Sequence, residues 1–462
     1  MHSGGRSSEA TAHDHATARF DYASCGAVVL CLLVATFRAA RISLSHDEAI
    51  TYLSFVRPGA AAVFGGYIAN NHVLHSLFAV FSTALFGPGV LSFRVPALMG
   101  TALVLAVLRR GALRSGSPPW VATIAVLAVG LNPYLLDYFA MARGYSLATG
   151  FALTALYAAS SPAFRLRPLA CAPMAGVFAG LAVATVPSFA VFAAALGAVL
   201  VGAGRRKPAA GGAIVYSLAA LATAAAILHR PLAHARRSDF SIGKESFLES
   251  ATALRDVLLR TDGLDVVPHR VATALLLVLT AALIASTRRR GLLVLAVAAV
   301  EIVLHGLILP MSGFLYPLPR IALDLVVWIP AAAAWSPSRR GWNGGVLIVL
   351  TAFNLLHAPS EVFADFRYDA DTTAAYEWLE SKAKDRNAEI RVWSDWLIAP
   401  TLNALRAMDD RPFMNALPEE AMPNAAYDYF LLLPGRGESE ADALLRTERR
   451  FPRSGLTIRV PK

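Results

Sequence analysis

The stretch "SLSHDEAITYLSFV", residues 43–56, sets two adjacent carboxylates, Asp47 and Glu48, directly behind a strongly apolar run. A carboxylate at the edge of an apolar region can act as a general base when its surroundings tune its affinity for protons. The same acids also fit the first turn of a short helix capped by Ser45, where negative charge meets the helix dipole. A second cluster, "YIANNHVLHSLF" at 67–78, crowds Asn70, Asn71, His72 and His75 at the mouth of another apolar run. On a helix His72 and His75 share one face. A metal there needs a third ligand and none is close in sequence, so polar contacts or phosphate binding is the favoured reading.

Three further groups follow. In "LNPYLLDYFAMARGYSLATG", residues 131–150, Asp137 and Arg143 bracket a break between apolar runs, with Tyr134, Tyr138 and Tyr145 nearby. The planar, permanently charged guanidinium suits phosphate oxygens; an Asp137–Arg143 structural pair with interfacial tyrosines is the plainer alternative. In "FLYPLPRIALDL", residues 314–325, Arg320 and Asp324 stand four apart, so mutual pairing is the default, with Arg320 also placed to offer a second phosphate contact. Glu301 and His305 fall inside an apolar run, where interhelical hydrogen bonding comes first and a proton relay second.

The elements that must hold these groups are membrane helices. Of 462 residues 56% are hydrophobic and 16% charged, against roughly a quarter charged in ordinary soluble domains. Twelve apolar runs recur at about 22–40, 72–87, 93–108, 119–137, 144–160, 168–185, 188–203, 211–228, 271–287, 291–310, 320–336 and 343–358. A bilayer core of about 30 Å takes about 20 such residues per helix. The expected fold is mainly α, a polytopic helical membrane protein. Basic clusters at 109–114, 205–207, 288–290 and 339–340 are expected on the cytoplasmic side, by the excess of Lys and Arg in cytoplasmic loops. A cytoplasmic start and an outer carboxyl end require an odd count, 11 or 13, so one run must be re-entrant, merged or split. The short pair 72–87 and 93–108 and the runs around Pro187 are the candidates.

Charge is uneven along the chain. Residues 360–462 hold 18 of the 32 acids but only 14 of the 42 basic residues, leaving the rest at a net +14 within the overall +10. On a membrane protein that excess marks cytoplasmic loops rather than a nucleic-acid surface. Cys25, Cys31 and Cys171 sit in apolar runs without disulfide or metal spacing. Residues 1–20 read as a disordered cytoplasmic tail, with His13 and His15 solvated, and 21–359 as the membrane domain, with outer loops at 41–71 and 229–270. The basic loop 229–246 is suited to anionic headgroups or a lipid-linked phosphate. Residues 360–462 form a small extracytoplasmic α/β domain: "TTAAYEWLESKAKD" reads as a helix, "AEIRVWSD" and "YDYFLLLP" as strands, and "ESEADALLRTERR" as a helix. No glycine-rich phosphate loop follows a strand there.

Taken in order, "HDEA" after the first span, "NNHVLH", "FGPGVLSFRVPALMG" and "NPYLLDYFAMARGYSL" resemble the C-class membrane glycosyltransferases. Within that class the resemblance is to the group of the protein O-mannosyltransferases, lipid A aminoarabinose transferases and Rgt-type lipopolysaccharide sugar transferases. It covers residues 20–160 well and the later spans by layout. It implies that Asp47 is the catalytic carboxylate, with Glu48 the second acid of the pair. It makes Arg94 structural, and gives Asn71, His72, His75, Arg143, Tyr145 and Arg320 to substrate binding. Val73 stands where the family often has proline, and Met141 where a polar or acidic residue is common. The implied donor is a polyprenyl-phosphate sugar used on the outer face of the cytoplasmic membrane, with inversion. The acceptor is an envelope glycan, lipid or protein. No cofactor is fixed; a divalent cation is left open. Two alternatives remain. A transporter or lipid flippase would show internal repeats, and the later half has no second "HDEA" or "NNHVLH". An O-antigen ligase or polymerase would rely on the basic loop, including Arg236 and Arg237, rather than on Asp47.

Overall fold

The protein is described by a computed structural model over residues 6–203, 207–236, 239, 243–259, 269–287, 290–336, 342–356, 361–409, 412–417, 427–435 and 444–462. It is a multi-pass helical membrane protein carrying a small carboxyl-terminal sheet. Five described helices are long and apolar enough to cross a bilayer alone: Tyr22–Arg41, Val90–Arg114, Pro168–Thr185, Ala210–Ala233 and Arg290–Met311. The expected run 119–137 is instead two helices, Pro119–Gly130 and Pro133–Ala140, bent by 70°. Asn132 makes that corner by accepting the Leu135 N–H at 3.0 Å, and Pro133 supplies the helix start that has no N–H to satisfy. The bend turns Asp137 and Tyr138 out of the first helix direction. Six shorter apolar helices, among them Val73–Phe86, Tyr145–Ala159 and Leu323–Ala334, complete the layer.

Of the runs in question, 93–108 extends into the single 25-residue helix Val90–Arg114, while 72–87 becomes the 14-residue helix Val73–Phe86. The chain also breaks at Pro187, where a 3-10 turn, Pro187–Phe189, separates two helices. Residues 6–20, expected as a disordered tail, continue the first helix, which runs Arg6–Arg41. The expected loop 229–270 is also partly helical: Lys207–Ala233 runs into it and Phe247–Leu259 lies within it. Residues 260–268 of that loop, and Arg237, lie outside the described residues.

Without a hydrophobic force between helices in lipid, close packing depends on small residues. Gly100 faces the backbone of Ser146 and Leu147, so helices Val90–Arg114 and Tyr145–Ala159 touch backbone to backbone. At the far end of Val90–Arg114 the Trp335 indole lies over Gly111 and donates to Leu108 O at 3.1 Å. There Arg109 Nε donates to Ser24 Oγ at 2.8 Å and Arg290 Nη1 to Ser115 Oγ at 3.2 Å. The basic groups therefore collect at one end of the bundle, opposite Arg94.

In the carboxyl part, strands β1 (Val392–Ser394), β2 (Tyr429–Leu432), β3 (Leu445–Arg450) and β4 (Thr457–Pro461) form a sheet in the order β1-β2-β4-β3. β1 and β2 are parallel and the other pairs antiparallel. Helices Thr372–Arg386 and Ala399–Met408 pack against it through Leu379, Leu402 and Leu405. The expected helix over 438–450 is instead the strand β3 from Leu445: β3 is an edge, and Arg446, Glu448, Arg449 and Arg450 keep it wet. Such charges guard sheet edges and are easily read as helical.

Replacing Gly100 with valine should force the two helices apart. The expected outcome is loss of monodisperse protein on size exclusion in detergent; a variant that elutes and melts like the parent would show that this contact is not close.

Candidate active site

Ser45 caps the short helix His46–Thr51, and Glu48 reciprocates: its Oε2 accepts the Ser45 N–H at 2.9 Å, completing a capping box. Glu48 is fully buried and gripped at both oxygens by Arg94, Nε to Oε1 at 2.8 Å and Nη2 to Oε2 at 2.7 Å. Arg94 directs its other donors to the carbonyls of Ala39, Ile42 and Ser43, at 2.8–3.0 Å. Oε1 of Glu48 also accepts the Ala142 N–H at 2.6 Å. Burial alone would raise this carboxyl. The Arg94 charge and the backbone donors outweigh it and hold Glu48 below the ordinary carboxylate value. One ion pair thus pins three segments: the end of the first span, the Asp47 turn and the 141–143 turn.

That clamp brings Asp47 to Arg143. Arg143 Nη2 lies 3.3 Å from Asp47 Oδ2, and its Nη1 donates to Asn70 Oδ1 at 3.1 Å. Asn70 Nδ2 reaches Asp47 Oδ1 at 3.5 Å. The Asp47 side chain remains 18% exposed while Arg143 is nearly buried. Beside this triangle opens a cavity of about 330 Å³ lined by Asn70, Asn71, His72, Arg143, Tyr145 and Arg320, with apolar walls. That volume falls within the roughly 300–1,000 Å³ of small-molecule sites. Arg320 makes no hydrogen bond or ion pair among the described residues and lines the cavity, with the Asp47 and Asp365 charges within electrostatic reach. The His72 ring, edge-on to Tyr145 at 5.0 Å, has no hydrogen-bond partner at either nitrogen, and neither has the buried Ser188 hydroxyl. Gly144 is required here: a Cβ would press on His72 and Thr185.

A strap from the carboxyl part closes the other side. The Asp365 carboxylate accepts from the Tyr138 hydroxyl at 2.7 Å, and the Ala364 N–H donates to Asp137 Oδ2 at 2.9 Å. Phe363 lies under the Arg94 guanidinium at 5.2 Å. Asp369, buried, accepts the His46 N–H at 2.7 Å, immediately before Asp47. Burial pushes the Asp369 carboxyl up to about 8, against the pull of its hydrogen bonds to His46 and Thr372.

Several expectations change. Glu48, expected as catalytic with Asp47, has both oxygens occupied out of solvent, so it positions rather than reacts. His75, expected at the substrate, is fully buried and does not line the cavity, because the first turn of Val73–Phe86 rotates it away. Asn71 lines the cavity but commits its Nδ2 to Val63 O and Gly66 O, both at 3.0 Å; Asn70 makes the contact with Asp47 and Arg143. Asp137 pairs with Arg38 rather than Arg143. Asp324 lies beside Glu301, not Arg320, and Trp328 Nε1 donates to Glu301 Oε2 at 3.0 Å, an interhelical bond as expected. Among the described residues no three His, Cys, Asp or Glu side chains are placed to hold a metal ion. The contributions of Asp365 and Asp369 are not foreseen by the sequence reading, because nothing in their spacing marks them off from a solvated acidic linker.

No family model and no curated protein matches the sequence. In three dimensions the chain shares its polytopic fold with a solved membrane protein. The chain is similar to the crystal structure of ArnT from Cupriavidus metallidurans bound to undecaprenyl phosphate: 14% identity, TM-score 0.57, covering 94% of this chain and 97% of that one. Against the same protein in its apo state the identity is 12% and the TM-score 0.55, over 94% and 96%.

Two outcomes test the site's frame. Arg94→Leu leaves Glu48 charged and alone, and should cost about 3–5 kcal/mol; adding Glu48→Leu should recover much of the lost melting temperature, and no recovery would contradict the pairing. For Asp369, a pKa raised in the fold favours the folded state fully below the unfolded value of about 3.9. That advantage is lost as pH rises to about 8. The melting temperature of the parent minus that of Asp369→Asn should therefore fall between those limits and level off above; a constant difference would refute it.

Proposed function

We propose that the chain is a glycosyltransferase that moves a sugar from a polyprenyl-phosphate donor to an acceptor hydroxyl or amine at the outer face of the cytoplasmic membrane, with inversion. The observation that carries this reading is the cavity where Arg143 and the unpaired Arg320 converge beside a part-exposed Asp47. Two guanidinium groups and an unpartnered imidazole suit a phosphate in a partly dry site, where such donors count for more than in water. The fold shared with ArnT, whose structure holds undecaprenyl phosphate, supports a lipid-linked donor. The outer face is favoured because the arginines 109, 110, 114 and 290 gather at the opposite end of the bundle, where Lys and Arg mark the cytoplasmic side.

The chemistry then runs in one displacement. Asp47 takes the proton from the acceptor O–H or N–H as that atom bonds to the anomeric carbon, and the bond from that carbon to the phosphate oxygen breaks. Polyprenyl phosphate leaves, its charge met by Arg143, Arg320 and a ring N–H of His72. Arg143 also orients the base, since its contact with Asp47 ties the carboxylate to the phosphate. This reading routes no step through a divalent cation.

Asp47→Asn should be made and inserted normally and lose about 10²–10⁴-fold in transfer. The readout is the sugar mass that disappears from envelope lipids and glycans when the native copy is deleted. Restoration of that mass by the Asn variant would end the assignment.

A further inference from the structure

An inverting displacement places the base on the face of the sugar opposite the leaving group. With the phosphate in the Arg143–Arg320 cavity, the acceptor must therefore reach Asp47 from the other side. What lies there belongs to the carboxyl domain. Helix Ala399–Met408 packs through Ala404 onto Leu44, Ala49 and Tyr52 around the Asp47 turn. The turn before it puts Leu397 O against His46 Nδ1 at 2.6 Å. That contact stands the His46 ring between two others, edge-on to Trp396 at 6.1 Å and to Tyr368 at 6.5 Å. Trp396 is 55% exposed although it sits at a well-packed junction. The result is a small cluster of rings set edge to face, with an imidazole, a phenol hydroxyl and, on the residue after His46, the Asp47 carboxylate.

We infer that Trp396, His46 and Tyr368 form an acceptor platform on which a saccharide ring of the acceptor stacks, delivering its hydroxyl to Asp47. The mixed character selects the occupant. A lipid tail would leave the imidazole, phenol and carboxylate unsatisfied, whereas a sugar offers an apolar C–H face to a ring and hydroxyls to the polar groups around it. The inference rests on the transferase reading above. It makes the carboxyl domain a specificity element: Trp396 touches substrate, and His46 and Tyr368 set its position.

The test uses the full chain with Trp396→Phe, which keeps an aromatic face, and Trp396→Leu, which keeps only apolar bulk. Each is returned to cells lacking the native copy and the restored sugar mass is measured. Each is also purified, and its melting temperature read with and without undecaprenyl phosphate. A stacked ring is expected to make the Leu variant about five- to tenfold poorer in product, with Phe keeping more than half and all three proteins shifted equally by undecaprenyl phosphate. Equal product from Leu and Phe, whether high or low, would overturn the platform, as would a Leu variant that no longer responds to the lipid phosphate. If the parent itself shows no shift, the transferase reading fails first and the platform with it.

Discussion

The site depends on a buried charge pair that does no chemistry. Glu48 and Arg94 sit entirely out of solvent, and every donor of that guanidinium and both carboxylate oxygens are engaged. Such a pair is weak evidence for net stability, since desolvation consumes most of its attraction. Its value is geometric. It can be satisfied only when the end of the first span, the capped turn and the 141–143 turn meet at one point, which is where Asp47 and Arg143 come within 3.3 Å. The adjacent acids thus divide the work, one turned inward to fix the frame and one outward at the cavity rim.

Division of labour also explains the fold around them. The broken helix at Pro187 and the close approach at Gly144 interrupt regular helices beside the cavity, and a 70° corner at Asn132 redirects the helix that carries Asp137 and Tyr138. In a membrane, irregular backbone is tolerated only where protein or a cavity covers it. The carboxyl domain provides part of that cover. Its strap answers Asp137, Tyr138 and the His46 N–H in turn, so the domain is built into the site rather than hung beside it.

Much of this was legible in the chain itself. Apolar runs marked most helices, the Ser45 cap followed from the residue types near Asp47, and the order of four motifs brought out the fold class. Partner choice was not legible. Sequence spacing favours neighbours, so Asp137 with Arg143 and Arg320 with Asp324 looked natural, while the pairs that form span 99 and 46 residues, Arg38–Asp137 and Glu48–Arg94. Asn70 and Asn71 could not be told apart because residues 66–72 follow no helical or strand period. The charged β3 edge imitated a helix for the same reason that it works as an edge.

The most direct measurement is a structure of the full chain, purified and saturated with undecaprenyl phosphate, at a resolution that shows the phosphate. Its oxygens should lie within about 2.7–3.0 Å of the guanidinium groups of Arg143 and Arg320, with Asp47 facing the same space. A phosphate seated elsewhere, with those two arginines turned away from it, would contradict the account.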